Sequence, residues 1–286
     1  MPYSNRFTRD YPGYIIFLID QSGSTEDSMS ENNRTIAENI ADLVNNNITE
    51  VTKRATKQEG DEEEFVKREI CFTIIGYGGK GNPEDESDLY NWNAELIMDA
   101  KFCDDIKNEY KLQRSSISNT DVYPILAPTH GGGTPMTAAF KVAYELLKRW
   151  NKSHDSNLDP VPVIINISDG EPTDNQKGEL QETINKIKEL KTADGSPLIM
   201  NVHLSAAQAA RELKTPINEE DCYDEYSKLM FEISTEVTTD MIEHNRALRG
   251  MGVPKGGRLF ISNCTDFKAA VDFIAIGTEI KQQQMR

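Results

Sequence analysis

An α/β fold, doubly wound around a mostly parallel six-stranded sheet with helices on both faces, is predicted by three features of the sequence. Apolar runs of strand length recur along the chain, amphipathic helical stretches separate them, and several runs stop abruptly at glycine, hydroxyl or carboxylate residues. Strands buried on both faces read as continuous apolar runs, and alternation with helices implies parallel crossovers.

The elements follow in order. Tyr14–Ile19 is an unbroken apolar run and the first strand. From Glu31 to about Lys57, apolar residues at Ile36, Ile40, Leu43, Val44, Ile48 and Val51 recur at spacings of three and four, which marks an amphipathic helix. The acidic stretch 60–64 reads as a solvated connection. Arg68–Gly79 is the second strand, and Ala94–Phe102, with weaker alternation, is an edge strand. Asp104–Pro128 is polar and mixed and carries no clear period. "GGGTP" then enters a helix over 135–150, with Pro135 in the first turn, where no N–H is needed. "VPVIINIS" is the fourth strand, and 177–191 is a helix with Leu180, Ile184, Ile187 and Leu190 on one face. "PLIMNVHLSA" is the fifth strand and 226–248 is helical. "RLFISNC" is the sixth strand, and 266–280 is a closing helix with Asp266 as its cap. Thr173 and Asp174 are suited to cap the helix that follows them.

Composition narrows the function. The chain of 286 residues carries 31 basic and 47 acidic side chains, a net charge of −16, which opposes a nucleic-acid partner and suits metal cations and neutral or basic protein surfaces. No apolar run approaches the roughly 20 residues of a membrane span, and the N-terminus has no apolar signal core, so the expectation is a cytoplasmic protein with no membrane partner. Four cysteines without CxxC spacing argue against a disulfide framework or a zinc site, and Cys71 and Cys264 read as reduced, buried thiols. His203, inside an apolar strand, reads as a hydrogen-bonded core residue; only His130 flanks a motif.

The sharpest signal lies at the ends of the strands. "DQSGS" places Asp20, Ser22 and Ser24 on one turn after the first strand, "GGGTP" offers Thr134 before a helix, and "SDGEPTD" offers Asp169 after the fourth strand. In doubly wound sheets such loops gather on one rim, where ligands bind. The set comprises two carboxylates and three hydroxyls with no nitrogen or sulfur, which suits magnesium, manganese or calcium over zinc or copper. Capping of a following helix is the plain alternative for Asp20, Ser22 and Ser24 taken alone; Thr134 and Asp169 in order turn the balance to metal. The glycines are no P-loop, because no Lys-Ser or Lys-Thr follows them.

These three motifs, in this order and context, resemble the metal-ion-dependent adhesion site of von Willebrand factor type A (VWA) domains, and the likeness spans about Tyr14–Ile280. "DGEPTD" and "GGGTP" are most similar to bacterial intracellular members of the tellurium-resistance type. The resemblance implies a Rossmann-like VWA fold and one domain over 1–286, its core about 14–280, with an elaborated segment about 79–130. It implies a non-enzymatic, cation-dependent protein-binding module. Ser22 and Ser24 would ligate Mg²⁺ (or Mn²⁺ or Ca²⁺) directly, Thr134 directly or through water, and Asp20 and Asp169 through water. A partner protein in a signalling or stress-defence complex, such as a kinase, phosphatase or ATPase, would supply an acidic side chain. Thr25 stands where many members carry methionine, and Glu26 and Asp27 after it add negative charge beside the site. The alternative is a magnesium-dependent phosphotransferase of the haloacid-dehalogenase type using Asp20. Against it, Ser22 stands where that class needs a general acid.

Overall fold

The computed structural model describes residues 3–30, 32–57, 65–78, 94–154, 157–206, 211–264 and 267–277. The acidic stretch 60–64, residues 79–93 of the elaborated segment, the Asp266 cap and the closing helix beyond 277 lie outside the described residues.

Seven strands, numbered in chain order, form one sheet: β1 Gly13–Asp20, β2 Ile70–Tyr77, β3 Ala94–Phe102, β4 Val163–Ser168, β5 Leu198–Leu204, β6 Leu213–Lys214 and β7 Phe260–Cys264. Their spatial order is β6-β7-β5-β4-β1-β2-β3. The five inner strands run parallel, while β3 and β6 close the two edges antiparallel. The expected six strands are all present. The seventh, β6, has two residues, too few for any period to register in the sequence.

β1 sits near the middle with all eight residues buried, and its side chains divide between two cores. Ile15, Phe17 and Ile19 face α1 (Ile36–Ala55), α2 (Cys103–Glu109), α6 (Thr239–His244), α7 (Arg246–Gly250) and α8 (Phe267–Ile274). Tyr14, Ile16 and Leu18 face α3 (Met136–Ser153), α4 (Glu179–Glu189) and α5 (Glu225–Ile233). The period of two in a strand puts alternate residues on opposite faces, so one apolar run serves both layers.

Two expectations change in detail. The helix expected over 226–248 is three short helices, because cap residues interrupt it. The Thr238 hydroxyl accepts the N–H of Met241 at 3.2 Å, and the Asn245 side chain accepts that of Leu248 at 2.9 Å. The polar stretch after β3 contains α2 and then lies along α1, held by side chains of that helix. Asn45 Oδ1 accepts the N–H groups of Ile125 (3.1 Å) and Leu126 (2.8 Å), its amide donates to the Leu126 carbonyl (2.9 Å), and Thr49 accepts the N–H of Tyr123 (2.8 Å). These bonds satisfy backbone groups that no sheet ladder reaches. They also lead the chain to the glycine loop.

All four cysteines are buried, and among the described residues none is in a disulfide. Among the described residues no helix is long and apolar enough to cross a membrane.

Candidate metal centre

From β1 the chain crosses to β2 on one side; after β3 it crosses to β4 on the other. The strand order therefore reverses between β1 and β4, where open α/β sheets form their ligand crevice. Asp20 ends β1, and Asp169 follows β4 directly.

The two strand ends are stitched by side chains. The Ser168 hydroxyl donates to Asp20 Oδ2 at 2.8 Å and accepts the N–H of Gly170 at 3.2 Å. Asp20 Oδ1 accepts the N–H of Ser22 at 2.9 Å. Ser22 Oγ lies 3.1 Å from Ser24 Oγ, which donates to Asp169 Oδ1 at 2.9 Å. Because the Ser24 hydrogen goes to Asp169, Ser22 is the donor to Ser24. Thr25 is buried and donates from Oγ1 to the Ser22 carbonyl at 2.7 Å, which tightens the turn that presents both serines.

The glycine loop joins from the side. The N–H of Gly23 donates to the Gly132 carbonyl at 2.9 Å. Gly132 has φ 68°, a conformation that favours glycine, and a Cβ on Gly23 would stand 3.3 Å from the Gly132 oxygen. Two residues on, Thr134 is buried, with its N–H donated to Thr173 Oγ1 at 3.0 Å. The loops bearing Asp20, Ser22, Ser24, Thr134 and Asp169 thus meet at one point of the rim. Asp20, Ser22 and Thr134 form the buried side, Ser24 is exposed and Asp169 is half-buried.

The electrostatics are those of crowded anions. Burial, then the Asp169 carboxylate, pushes Asp20 up to about 7, against the pull of hydrogen bonds from Ser22 and Ser168. Burial also raises Asp169, with Asp27 acting in the same sense and the Ser24 hydroxyl opposing. Among the described residues neither carboxylate forms an ion pair with Lys or Arg. Among those residues, too, no group of three or more His, Cys, Asp or Glu side chains is placed to hold a metal. The donor set here is of another kind: two acids without a basic partner, beside three hydroxyls. That is the chemistry a hard dication fits.

Several neighbours were not visible as part of the site. Ser168 is the buried rung between β4 and Asp20; its only sequence signal is a hydroxyl directly before Asp169 at a strand end. His203 is the hydrogen-bonded core residue expected. Asn263 donates its N–H to Nδ1 at 3.1 Å, so Nε2 carries the hydrogen and donates to the Asp169 carbonyl at 3.2 Å. Burial pulls His203 down to about 4, which keeps it neutral in that role. His130 lies 3.9 Å from the exposed Glu26. Thr173 and Asp174 do not cap the helix after them. Asp174 Oδ1 accepts the N–H of Thr137 and Oδ2 that of Ala138, both at 2.9 Å, so it caps α3 instead. A small apolar cavity lined by Tyr3, Phe7, Val163, Leu198 and Met241 lies at the opposite end of the strands, where β4 and β5 begin.

No family model matches this chain, and no curated protein matches it. Among solved structures it is similar to a von Willebrand factor type A protein from Catenulispora acidiphila, at 11% identity and TM-score 0.36, over 68% of this chain and 33% of that one. It is also similar to the three N-terminal domains of the type V pili tip protein Mfa5 from Porphyromonas gingivalis, at 15% identity and TM-score 0.31, over 57% of this chain and 20% of that one. The matched region thus spans about a third and a fifth of those two chains.

Proposed function

We propose that the protein is a divalent-cation-dependent protein-binding module of the VWA kind. Ser22, Ser24 and Thr134 would hold the cation, Mg²⁺ before Mn²⁺ or Ca²⁺, with Asp20 and Asp169 acting through water. When bound, the ion supplies an open Lewis-acidic position for a carboxylate oxygen of a partner protein. Supporting this reading is one observation: an unbroken run of hydrogen bonds from Ser168 through Asp20, Ser22 and Ser24 to Asp169, across the point where strand order reverses.

Each residue has a distinct task. Asp20 is buried, with both oxygens accepting hydrogen bonds, so it fixes the turn and supplies negative charge from below. Ser22 and Ser24 present hydroxyls at alternate positions. Ser24 and Asp169 lie toward solvent, where a partner would approach. The occupied oxygens of Asp20 suit a positioning carboxylate better than an attacking nucleophile, and position 22 holds no general acid. Both points favour binding over phosphoryl transfer. We further propose a cytoplasmic setting, in a bacterial signalling or stress complex of the tellurium-resistance type.

Calorimetric titration of Mg²⁺ and Mn²⁺ into the full chain tests the site. Heat of binding is expected with the natural sequence and none with Asp20→Ala; equal heats would overturn the proposal. Partner capture from a lysate, with and without EDTA and with Thr134→Ala, tests the function. A set of partners indifferent to both would remove the bridging role.

A further inference from the structure

"SDGEPTD" holds two residues, Thr173 and Asp174, to which the dication reading gives no task. Their side-chain hydrogen bonds run to Thr134, at the end of the glycine loop, and to the start of α3. Thr173 engages both backbone groups of Thr134: Oγ1 accepts its N–H at 3.0 Å, and the Thr173 N–H donates to its carbonyl at 2.9 Å. Asp174 takes the N–H groups of the second and third residues of α3 with its two carboxylate oxygens. From its own side, α3 begins at Pro135 with no side-chain cap.

We infer that Thr173 and Asp174 are positioning residues of the dication site. They bind Thr134 to the Asp169 loop as one unit and neutralise the positive end of α3 beside it. The inference rests on the dication reading. Thr173 stands four residues after Asp169, so its paired bonds to Thr134 make the two donor loops move together. The electrostatic part follows from where α3 starts. Only Pro135 separates Thr134 from the helix, and a helix N-terminus carries roughly half a positive elementary charge. Uncapped, that end would repel a cation held at Thr134. The Asp174 carboxylate consumes two of the free N–H donors and cancels the charge.

A cap that merely stabilises α3 would leave cation affinity untouched, so affinity and fold stability must be read separately. The experiment is calorimetric titration of MnCl₂ into the full chain, with metal-free melting measured in parallel. The variants are Thr173→Val, Thr173→Ser and Asp174→Asn, with Thr238→Ala as a capping change in α6, whose Met241 lines the cavity at the opposite end of the strands. Thr173→Val removes the acceptor for the Thr134 N–H at constant shape and is expected to weaken Mn²⁺ binding about 10–100-fold, the usual effect of losing a group that orients a ligand. Thr173→Ser restores the hydroxyl and the affinity. Asparagine keeps only one of the two acceptor oxygens, so Asp174→Asn is expected to lower melting and, unlike Thr238→Ala, to bind Mn²⁺ more weakly as well. Thr238→Ala lowers melting and leaves Mn²⁺ affinity alone. Natural-sequence affinity in both Thr173→Val and Asp174→Asn overturns the inference, as does an equal affinity loss in Thr238→Ala. If Thr173→Val does not fold, Asp174→Asn decides by the same readout. Absence of Mn²⁺ binding by the natural sequence removes the dication reading itself and is seen before any variant is made.

Discussion

Helices α1 and α3 pack on opposite faces of β1, and they are started by different means. Thr35 opens α1 with a local capping box: its hydroxyl accepts the N–H of Glu38 at 3.1 Å, and the Glu38 carboxylate accepts the N–H of Thr35 at 2.9 Å. The side chains that cap α1 lie within three residues of each other. α3 begins at a proline without a cap of its own and takes its acceptors from Asp174, in a loop beyond the next strand. A local cap makes a helix independent of its surroundings. A cap borrowed from another loop ties the helix start to that loop, and here the borrowed loop carries Asp169.

Packing should treat the two helices alike, and this gives the largest effect. Phe140 on α3 and Leu43 on α1 are both fully buried. Phe140→Ala should cost about 3–5 kcal/mol and Leu43→Ala about 2–5 kcal/mol, read from urea unfolding. A much smaller cost on one face would break the symmetry of the two layers.

Capping should then separate them. Thr35→Ala is expected to cost about 1 kcal/mol with Mn²⁺ affinity unchanged. Asp174→Ala should cost stability of that order and weaken Mn²⁺ binding as well. Equal affinities in the two variants would erase the distinction between local and borrowed caps.

The pH dependence sharpens the view from the site side. Asp20 is raised from 3.8 to about 7, so the native state holds a proton that the unfolded chain releases across that range. Its contribution to stability is present below the ordinary value and is lost as pH rises through about 7. His203, pulled from 6.5 to about 4, acts in the opposite sense, since the unfolded chain binds its proton more readily between those values. Comparing the natural protein with Asp20→Asn cancels the histidine. In EDTA, Asp20→Asn should gain melting temperature relative to the natural sequence as pH rises from about 4 to about 7. Mg²⁺ should remove that gain by stabilising the natural carboxylate. A pH-independent difference would mean that Asp20 titrates as an ordinary acid.

The smallest effect belongs to the surface. Lys141 on α3 meets Glu179 on α4 at 2.7 Å, with both side chains about half exposed. Lys141→Ala should shift melting only slightly, and high salt should abolish the shift, because water and ions screen such pairs.

Much of this architecture was legible in the chain. Tyr14–Ile19 announced a strand buried on both faces, because six consecutive apolar or aromatic side chains have no other economical place. Asp20, Ser22 and Ser24 were legible because alternate positions on a short turn project together. Ser168, Thr173 and Asp174 were not, since their partners lie far away in sequence: Asp20 for Ser168, Thr134 for Thr173 and the start of α3 for Asp174; His203 was legible as a hydrogen-bonded core residue, but its partner, the Asp169 carbonyl, was not. A hydroxyl or carboxylate near a helix start reads as a local cap, and nothing nearby distinguishes one that serves a remote helix.

By itself, the sequence determined the alternation of strands and helices, the buried β1 and the oxygen-only character of the donors, because periodicity and side-chain chemistry are local properties. Only the tertiary structure decided that β4 lies beside β1 and that the Asp169 loop caps α3 as well as facing Ser24. Strand order is set by which helix faces pack together across the whole sheet, and no single stretch of chain carries that information.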